Sequence, residues 1–438
     1  MYFGLVRLIH LSDLHLGYRQ YQRQTSAGNN QREADVASVF RTIIDRVIAL
    51  APDLVVLAGD IFHNVRPPNP AILHAFTQFS RLTHALPNSI VVMVAGNHDS
   101  PRAAETGCIL RLFAPLGIHV IDGEAQRLDF PERGLSVLGV PDTGVPQHVL
   151  LDPDPNSARN VLVLHGEVAG VLPPSAAGVE RTAVEITPEA IGASRWSYVA
   201  LGHYHVCRQI EPNAYYSGSI EYTSTNPWGE IQEERAAKLP GKVFLEYDLD
   251  TGKRIVHSIK PARSLVDLPR IEGRGMSAAD IDALIRAHVE KVSGGIDDKI
   301  VRQVIRDVPR HIAREIDYRM LREYRKRALH FHLDTRRPDI MRPAVGQGAA
   351  GRRASLMDTV REMLWSRPLP SDIDRQRLVD MGLHYLSEAE QKEGIASMIS
   401  GSVGSVGSVG SVGSVGSVGS VGNVGNVGSA GDGWEDES

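Results

Sequence analysis

Five short polar motifs punctuate the first half of the chain, each directly after an apolar run: Asp13-Leu14-His15, Gly59-Asp60, Gly96-Asn97-His98-Asp99, His165-Gly166-Glu167 and Gly202-His203-Tyr204-His205. A single Gly-Asp or His-Gly pair is ordinary turn chemistry. A series of them at the ends of core strands is more specific, because α/β sheets build their sites at the carboxyl ends of strands. The side chains are carboxylates, an amide and imidazoles with no thiolate, a donor set suited to manganese, iron or zinc and poorly suited to calcium alone. Asp60 is the candidate bridge, since one carboxylate shared by two ions can hold them roughly 3.5 to 4 Å apart and clamp a phosphoryl group for in-line displacement. The neighbouring glycines let backbone and a substrate phosphate approach closely.

The elements that must position these motifs follow from the hydrophobic pattern. Apolar runs at Val6 to Leu11, Leu54 to Ala58, Ile90 to Ala95, Val161 to Leu164 and Tyr198 to Leu201 read as strands, with helical patterns at Gln31 to Leu50 and Pro70 to Leu86. This alternation predicts an α/β catalytic domain over residues 1–262, ending in strand-rich sequence at Ala214 to Ser217, Lys242 to Asp248 and Arg254 to Lys260. The cluster of Pro, Gly and Arg between Pro261 and Gly275 breaks the pattern. A smaller α+β accessory domain is expected over 263–340, opening with a helix capped by Ser277. Its segment Arg302 to Arg327 is rich in arginine with interspersed acids, which suits either a solvated helical face or a phosphate-contacting surface.

Residues 341–354 read as a linker, and 355–399 as a helical hairpin with Leu356, Val360, Met363 and Leu364 on one apolar face and Leu378, Met381, Leu383, Tyr385 and Leu386 on the other. A hairpin this small cannot bury both faces alone, so it should dock on something. The Gly-Ser-Val repeat and acidic end at 400–438 lack the large side chains that would offset ordering entropy and are expected to be disordered.

With 438 residues, 42% hydrophobic and 23% charged, the chain can bury a substantial core and more than one domain. Its formal net charge of -5 offers no global attraction to a polyanion, so nucleic-acid binding would depend on local basic patches and bound cations. The two cysteines, Cys108 and Cys207, have the spacing of neither a zinc module nor a disulfide framework and read as buried thiols. The apolar start reads as a core strand rather than a signal peptide, and no apolar run is long enough to span a membrane. A cytoplasmic, nucleoid-associated protein is the expectation.

In their order and residue types, the five motifs resemble the calcineurin-like metallophosphoesterase superfamily, over about Val6 to His205. The resemblance implies a four-layer α/β/β/α sandwich and two divalent metal ions, manganese foremost. Asp13, His15, Asp60 and His205 would bind the first ion, and Asp60, Asn97, His165 and His203 the second. His98 would act on the transition state or donate a proton to the leaving oxygen, with Asp99 orienting its ring and hydroxide as the nucleophile. A narrower likeness lies in His15-Leu16-Gly17-Tyr18, in Gln31-Arg32-Glu33, in Gly59-Asp60-Ile61-Phe62-His63 with Arg66-Pro67, and in Tyr216-Ser217-Gly218-Ser219-Ile220-Glu221. These are similar to the double-strand-break-repair nucleases, SbcD and its archaeal and eukaryotic relatives.

That branch implies that His63 helps place a DNA phosphate, that Tyr18 and Arg66 contact substrate, and that the accessory domain caps the site on duplex DNA. It also implies an SMC-like coiled-coil ATPase partner docked near the C-terminus, and a homodimer. Two features depart from its pattern: Gln22 to Asn30 lengthens the first loop, and Ser217 stands where proline is usual. The leading expectation is a dimetal-dependent DNA nuclease. Its rivals are a phosphodiesterase or phosphatase acting on nucleotides or small phosphoesters, which shares all five motifs, and a DNA-end scaffold that holds an ATPase.

Overall fold

The strands alternate so strictly that neighbouring side chains belong to different cores. In the computed structural model, which describes residues 4–101, 107–142, 151–171, 185–338, 356–366 and 373–387, the chain runs through β1 (Arg7–Leu11), β2 (Leu54–Ala58), β3 (Ile90–Val94), β4 (His119–Ile121), β5 (Gln126–Phe130), β6 (Leu135–Val140) and β7 (Arg159–His165). There follow the short β8 (Glu167–Val168) and β9 (Glu185–Ile186), then β10 (Tyr198–Gly202), β11 (Arg208–Glu211), β12 (Ala214–Tyr216), β13 (Val243–Asp248) and β14 (Arg254–Ser258). They form two six-stranded sheets, ordered β14-β13-β1-β2-β3-β4 and β11-β12-β10-β7-β6-β5. Val56, Val92, Val163 and Ala200 share the core between the sheets. Their neighbours Val55 and Met93 face the helices outside the first sheet, and Leu164 and Leu201 lie in the core on the far side of the second. Burial on both faces explains why these strands read as continuous apolar runs.

Two helices cover the first sheet. Helix α1 (Gln31–Leu50) starts where the Asn30 side chain accepts the backbone N–H groups of Arg32 and Glu33, and it ends at Ala51 in left-handed conformation. Its buried Val36, Val39, Phe40, Ile43, Ile44 and Val47 recur at helical spacing, and each fully buried side chain of this kind contributes about 1.5–3 kcal/mol. Helix α2 (Asn69–Ala85) follows Pro68, with Pro70 in its first turn, where the missing N–H costs nothing. The far face of the second sheet carries the fourth layer. Among the described residues it offers a one-turn helix, Pro188–Ile191, and a 3-10 turn at Ala193–Arg195, packed with Trp196 on the second sheet.

Residues 1–340 form one compact unit. Within it the accessory region has its own parallel sheet, in which β17 (Ile300–Arg306) lies between β18 (His330–Thr335) on one side and β15 (Leu265–Asp267) and β16 (Ile271–Glu272) on the other. Its core gathers Ile281, Ile285, Val301, Ile305, Leu321 and Phe331. The long first loop meets this region: Tyr21 stacks on His330 with ring centroids 4.1 Å apart, and the Arg23 guanidinium donates to the Lys326 and Ala328 carbonyls. Trp228 and Ile231, on the helix Pro227–Ala236, share a hydrophobic cluster with Ile300 and Leu329.

The arginine-rich segment divides. Arg302 is spent on Asp267 and on the Trp228 ring, and Arg327 on Asp297. Arg310, Arg319, Arg322 and Arg325 are exposed.

The second unit comprises residues 341–438. It contains the helix Leu356–Ser366 and a second helix over 375–387. A Cβ on Gly382 would stand 2.5 Å from the Leu364 side chain, so the two helices touch there. Val379 is buried, whereas Met363, Trp365, Met381 and Tyr385 are between 50% and 63% exposed. The hairpin therefore leaves much of its apolar surface uncovered within its own unit. The expected linker at 341–354 and tail at 400–438 lie outside the described residues, and no helix among those described is long and apolar enough to cross a membrane.

Candidate metal centre

Strands β1, β2 and β3 run parallel in one sheet and β7 and β10 in the other, so all five motifs emerge at strand ends. The chain then turns sharply: Asp13, His15, Asp60 and His203 have φ of 52°, 46°, 52° and 106°. Left-handed backbone is uncommon outside glycine and costs on the order of 1–3 kcal/mol, a burden that persists at functional sites when surrounding structure enforces it. The reward here is that side chains leaving different strands fold over one point.

Three groupings of ligand atoms, each within 4.8 Å, result: Asp13 with His15 and His205, Asp13 with Asp60 and His165, and His15 with His63 and His98. The Nε2 atoms of His15 and His205 are 2.9 Å apart. Oδ2 of Asp60 lies 3.8 Å from His15 Nε2 and 3.5 Å from His165 Nε2, between the two sets. Asp13 reaches both as well, with Oδ1 3.8 Å from His205 Nε2, and its carboxylate accepts the Ser12 hydroxyl at 2.5 Å and the His203 backbone N–H. The His203 ring stands edge-on to His165, centroids 5.6 Å apart, outside all three groupings.

The electrostatics suit cations. Nδ1 of His165 donates to the Ala58 carbonyl at 2.8 Å, so Nε2 of a neutral ring turns its lone pair toward Asn97 Oδ1, 2.9 Å away. Acceptor then faces acceptor, an arrangement relieved by a proton or a metal ion. Burial alone would drive a proton off His165, but the Asp60 and Asp13 carboxylates outweigh it and raise the pKa. Burial pushes the Asp60 carboxyl up, with Asp13 adding and His165 and His98 opposing. His15 is depressed well below the usual imidazole value, first by burial and then by surrounding histidines. Buried carboxyl groups and imidazoles aimed at a common space fit divalent ions bound through nitrogen and oxygen.

The glycines allow the close approach of backbone that was expected of them. A Cβ on Gly202 would fall 1.7 Å from the Ala58 carbonyl oxygen, and one on Gly96 would fall 2.2 Å from Asp60 Oδ1. The atoms that need the space are the neighbouring strand's backbone and a candidate metal ligand.

Asp99 differs from expectation. Its carboxylate accepts the backbone N–H groups of Ile61, Phe62 and Gly96 at 2.9 to 3.1 Å, while Nδ1 of His98 donates to the His63 carbonyl at 2.7 Å. Asp99 thus ties the loop after β2 to the loop after β3 and does not orient the His98 ring. Burial, and then Asp60, push its carboxyl up to about 7. Tyr18 is buried, its hydroxyl on Gln20 and its ring edge against His63, so it shores up His63 and offers no open contact surface. His63 is half-buried, stacked beside His98, with Nδ1 3.3 Å from Nδ1 of His15. Arg66 is exposed on the same loop.

Sequence reading missed Ser12, Ser217, Glu230 and Lys242. The Ser217 hydroxyl meets that of Ser12 at 2.8 Å, behind Asp13. Glu230 and Lys242 form a buried ion pair next to His205. Only the departure at Ser217 carried a signal, because a lone Lys or Glu in a polar stretch reads as solvated surface.

The description "Calcineurin-like phosphoesterase" matches residues 6–207. The chain is 28% identical over 237 residues to the DNA double-strand break repair protein Mre11 of Methanocaldococcus jannaschii, covering 52% of this chain and 59% of that protein. It is 30% identical over 218 residues to Mre11 of Sulfurisphaera tokodaii, covering 47% and 50%. With Mre11 of Methanosarcina mazei the identity is 24% over 398 residues, covering 81% of this chain and 61% of the relative. The chain thus spans between half and about three-fifths of these relatives. The ligand-bearing turns and the strands that precede them fall within the matched span, and through that region the chain is similar to the calcineurin-like phosphoesterases.

Proposed function

We propose that this chain is a dimetal-dependent DNA nuclease that hydrolyses phosphodiester bonds in double-strand-break repair, with manganese as the working metal. The observation that carries the reading is the gathering of Asp13, His15, Asp60, Asn97, His165 and His205 around one point, with His63 and His98 at its rim. Asp13, His15, Asp60 and His205 would hold one ion, and Asp60, Asn97, His165 and His203 the other. Bound there, the ions would supply Lewis acidity at the phosphoryl oxygens and lower the pKa of the attacking water. The hydrogen bond from Nδ1 to the His63 carbonyl orients the His98 ring at the rim of the site, where it would hold or pass a proton to the leaving oxygen. The accessory region, held by Tyr21 and Arg23, carries the exposed Arg310, Arg319, Arg322 and Arg325 that could meet DNA phosphates.

The partner reading rests on the hairpin, whose exposed Met363, Trp365, Met381 and Tyr385 suit an SMC-like coiled-coil ATPase. A homodimer is implied by the resemblance alone. Deletion from Ser400 is expected to leave melting temperature and nuclease activity unchanged. Deletion from Ser355 should spare the intrinsic nuclease and abolish co-purification with the ATPase. Loss of folding in the shorter protein would assign the hairpin to the catalytic body.

His63 separates the nuclease from a small-ester phosphodiesterase. His63→Ser is expected to suppress exonuclease activity on DNA ends while keeping bound metal and much of the hydrolysis of bis-p-nitrophenyl phosphate. DNA cleavage by the intact protein should also fall steeply with salt, since phosphate contacts release counterions, while small-ester hydrolysis barely responds. The 3.3 Å contact between His63 and His15 favours the competing role, support of a metal ligand. That role predicts parallel loss of both activities. Parallel loss, together with no manganese-dependent cutting of linear DNA, would replace the nuclease reading with a nucleotide or small-ester phosphodiesterase.

A further inference from the structure

The helix Pro227–Ala236 places two carboxylates, Glu230 and Glu234, in the interior, 7% and 3% exposed. Both face Lys242, itself 2% exposed at the edge of β13. Burying three charges is costly unless each finds partners, and here each does. Lys242 pairs with both acids and donates to the His205 carbonyl at 2.9 Å. Glu234 accepts the Tyr222 hydroxyl at 2.6 Å, and Glu230 accepts the Ser224 hydroxyl.

One atom in this neighbourhood lacks a hydrogen bond. Nδ1 of His205 is buried without a hydrogen-bond partner, and Oε1 of Glu230 lies 3.7 Å from it. The opposite ring atom, Nε2, points at His15 and Asp13. The ring thus lies between a proposed ion on one side and a fixed carboxylate on the other. A ligating imidazole needs its second nitrogen held by an acceptor, which fixes the tautomer, aims the lone pair and raises the ring's basicity. A small rotation of the ring would bring Nδ1–H within hydrogen-bond reach of Glu230, which Lys242 keeps ionised and in place. Because Lys242 also holds the His205 carbonyl, the same lysine fixes the ligand's backbone and, through Glu230, its side chain.

We infer that Glu230 is a positioning residue for His205, holding the ring so that Nε2 serves the first of the two metal ions. The inference rests on the metal-centre reading above. Glu234 is the internal control, because it neutralises the same lysine but faces Tyr222 instead of His205.

The test is a Mn²⁺ titration by calorimetry on the full-length wild type, Glu230→Gln and Glu234→Gln, with apoprotein melting temperatures recorded beside it. Two bound ions in the wild type support the underlying reading. Glu230→Gln should weaken one of the two ions about 10- to 100-fold, the usual cost of removing such a partner, and leave the other close to wild type. Glu234→Gln should leave both affinities within about 3-fold, even if it lowers the apoprotein melting temperature. Should Glu230→Gln fail to fold, Glu230→Gln with Lys242→Met, which removes two of the three buried charges, is held to the same result. Unchanged affinity in the Glu230 variant, or equal weakening in the Glu230 and Glu234 variants, overturns the inference and leaves the dimetal site standing. A wild type that binds no Mn²⁺ overturns both.

Discussion

Asp60→Asn is expected to lose bound Mn²⁺ and essentially all hydrolysis of both DNA and small phosphodiesters. The carboxylate lies between His15 and His165 and touches both ligand sets, so an amide there removes the negative charge that lets two cations sit close together. Rate enhancements by enzymes are at least about 10⁶-fold, and most of that should vanish. Folding should not suffer, because burial already pushes the Asp60 carboxyl up, and removing a penalised charge favours the metal-free fold. The apoprotein melting temperature should therefore hold or rise, while the increase that Mn²⁺ gives the wild type disappears. Two retained manganese ions with normal turnover would remove Asp60 from the bridging position.

His98→Leu separates chemistry from binding. Nδ1 of His98 is committed to the His63 carbonyl, and its backbone N–H to Asp60 Oδ1 at 2.9 Å. The backbone contact survives substitution, so Asp60 stays in place. Turnover should fall by about 10² or more, the effect of deleting a general acid or electrostatic stabiliser, equivalent to about 2.7 kcal/mol of barrier. Mn²⁺ stoichiometry and DNA affinity should stay near wild type. Loss of metal along with activity would make His98 a ligand, an outcome its grouping with His15 and His63 keeps testable.

The sequence alone determined the five motifs, their placement after apolar runs, and the two long helices. It could do so because those features are local. A run such as Leu54–Ala58 is buried on both faces and must be apolar throughout, and α1 shows its buried stripe at helical spacing after an Asn cap. The donor chemistry was equally legible, since residue types do not depend on where the chain goes.

What tertiary structure decided is how those donors meet. The contact of His165 with Ala58 and Asn97, and that of His15 with His205, joins residues that are distant in sequence and lie on different sheets. The role expected of Asp99 came with the family resemblance, whereas in the fold three backbone amides from two loops converge on its carboxylate. The helix Pro227–Ala236 escaped notice because its inward face carries acids, and only burial against Lys242 distinguishes such a face from a solvated one. Hydrophobic patterning reports which side chains avoid water; it is silent on buried charges, whose partners only the fold brings together.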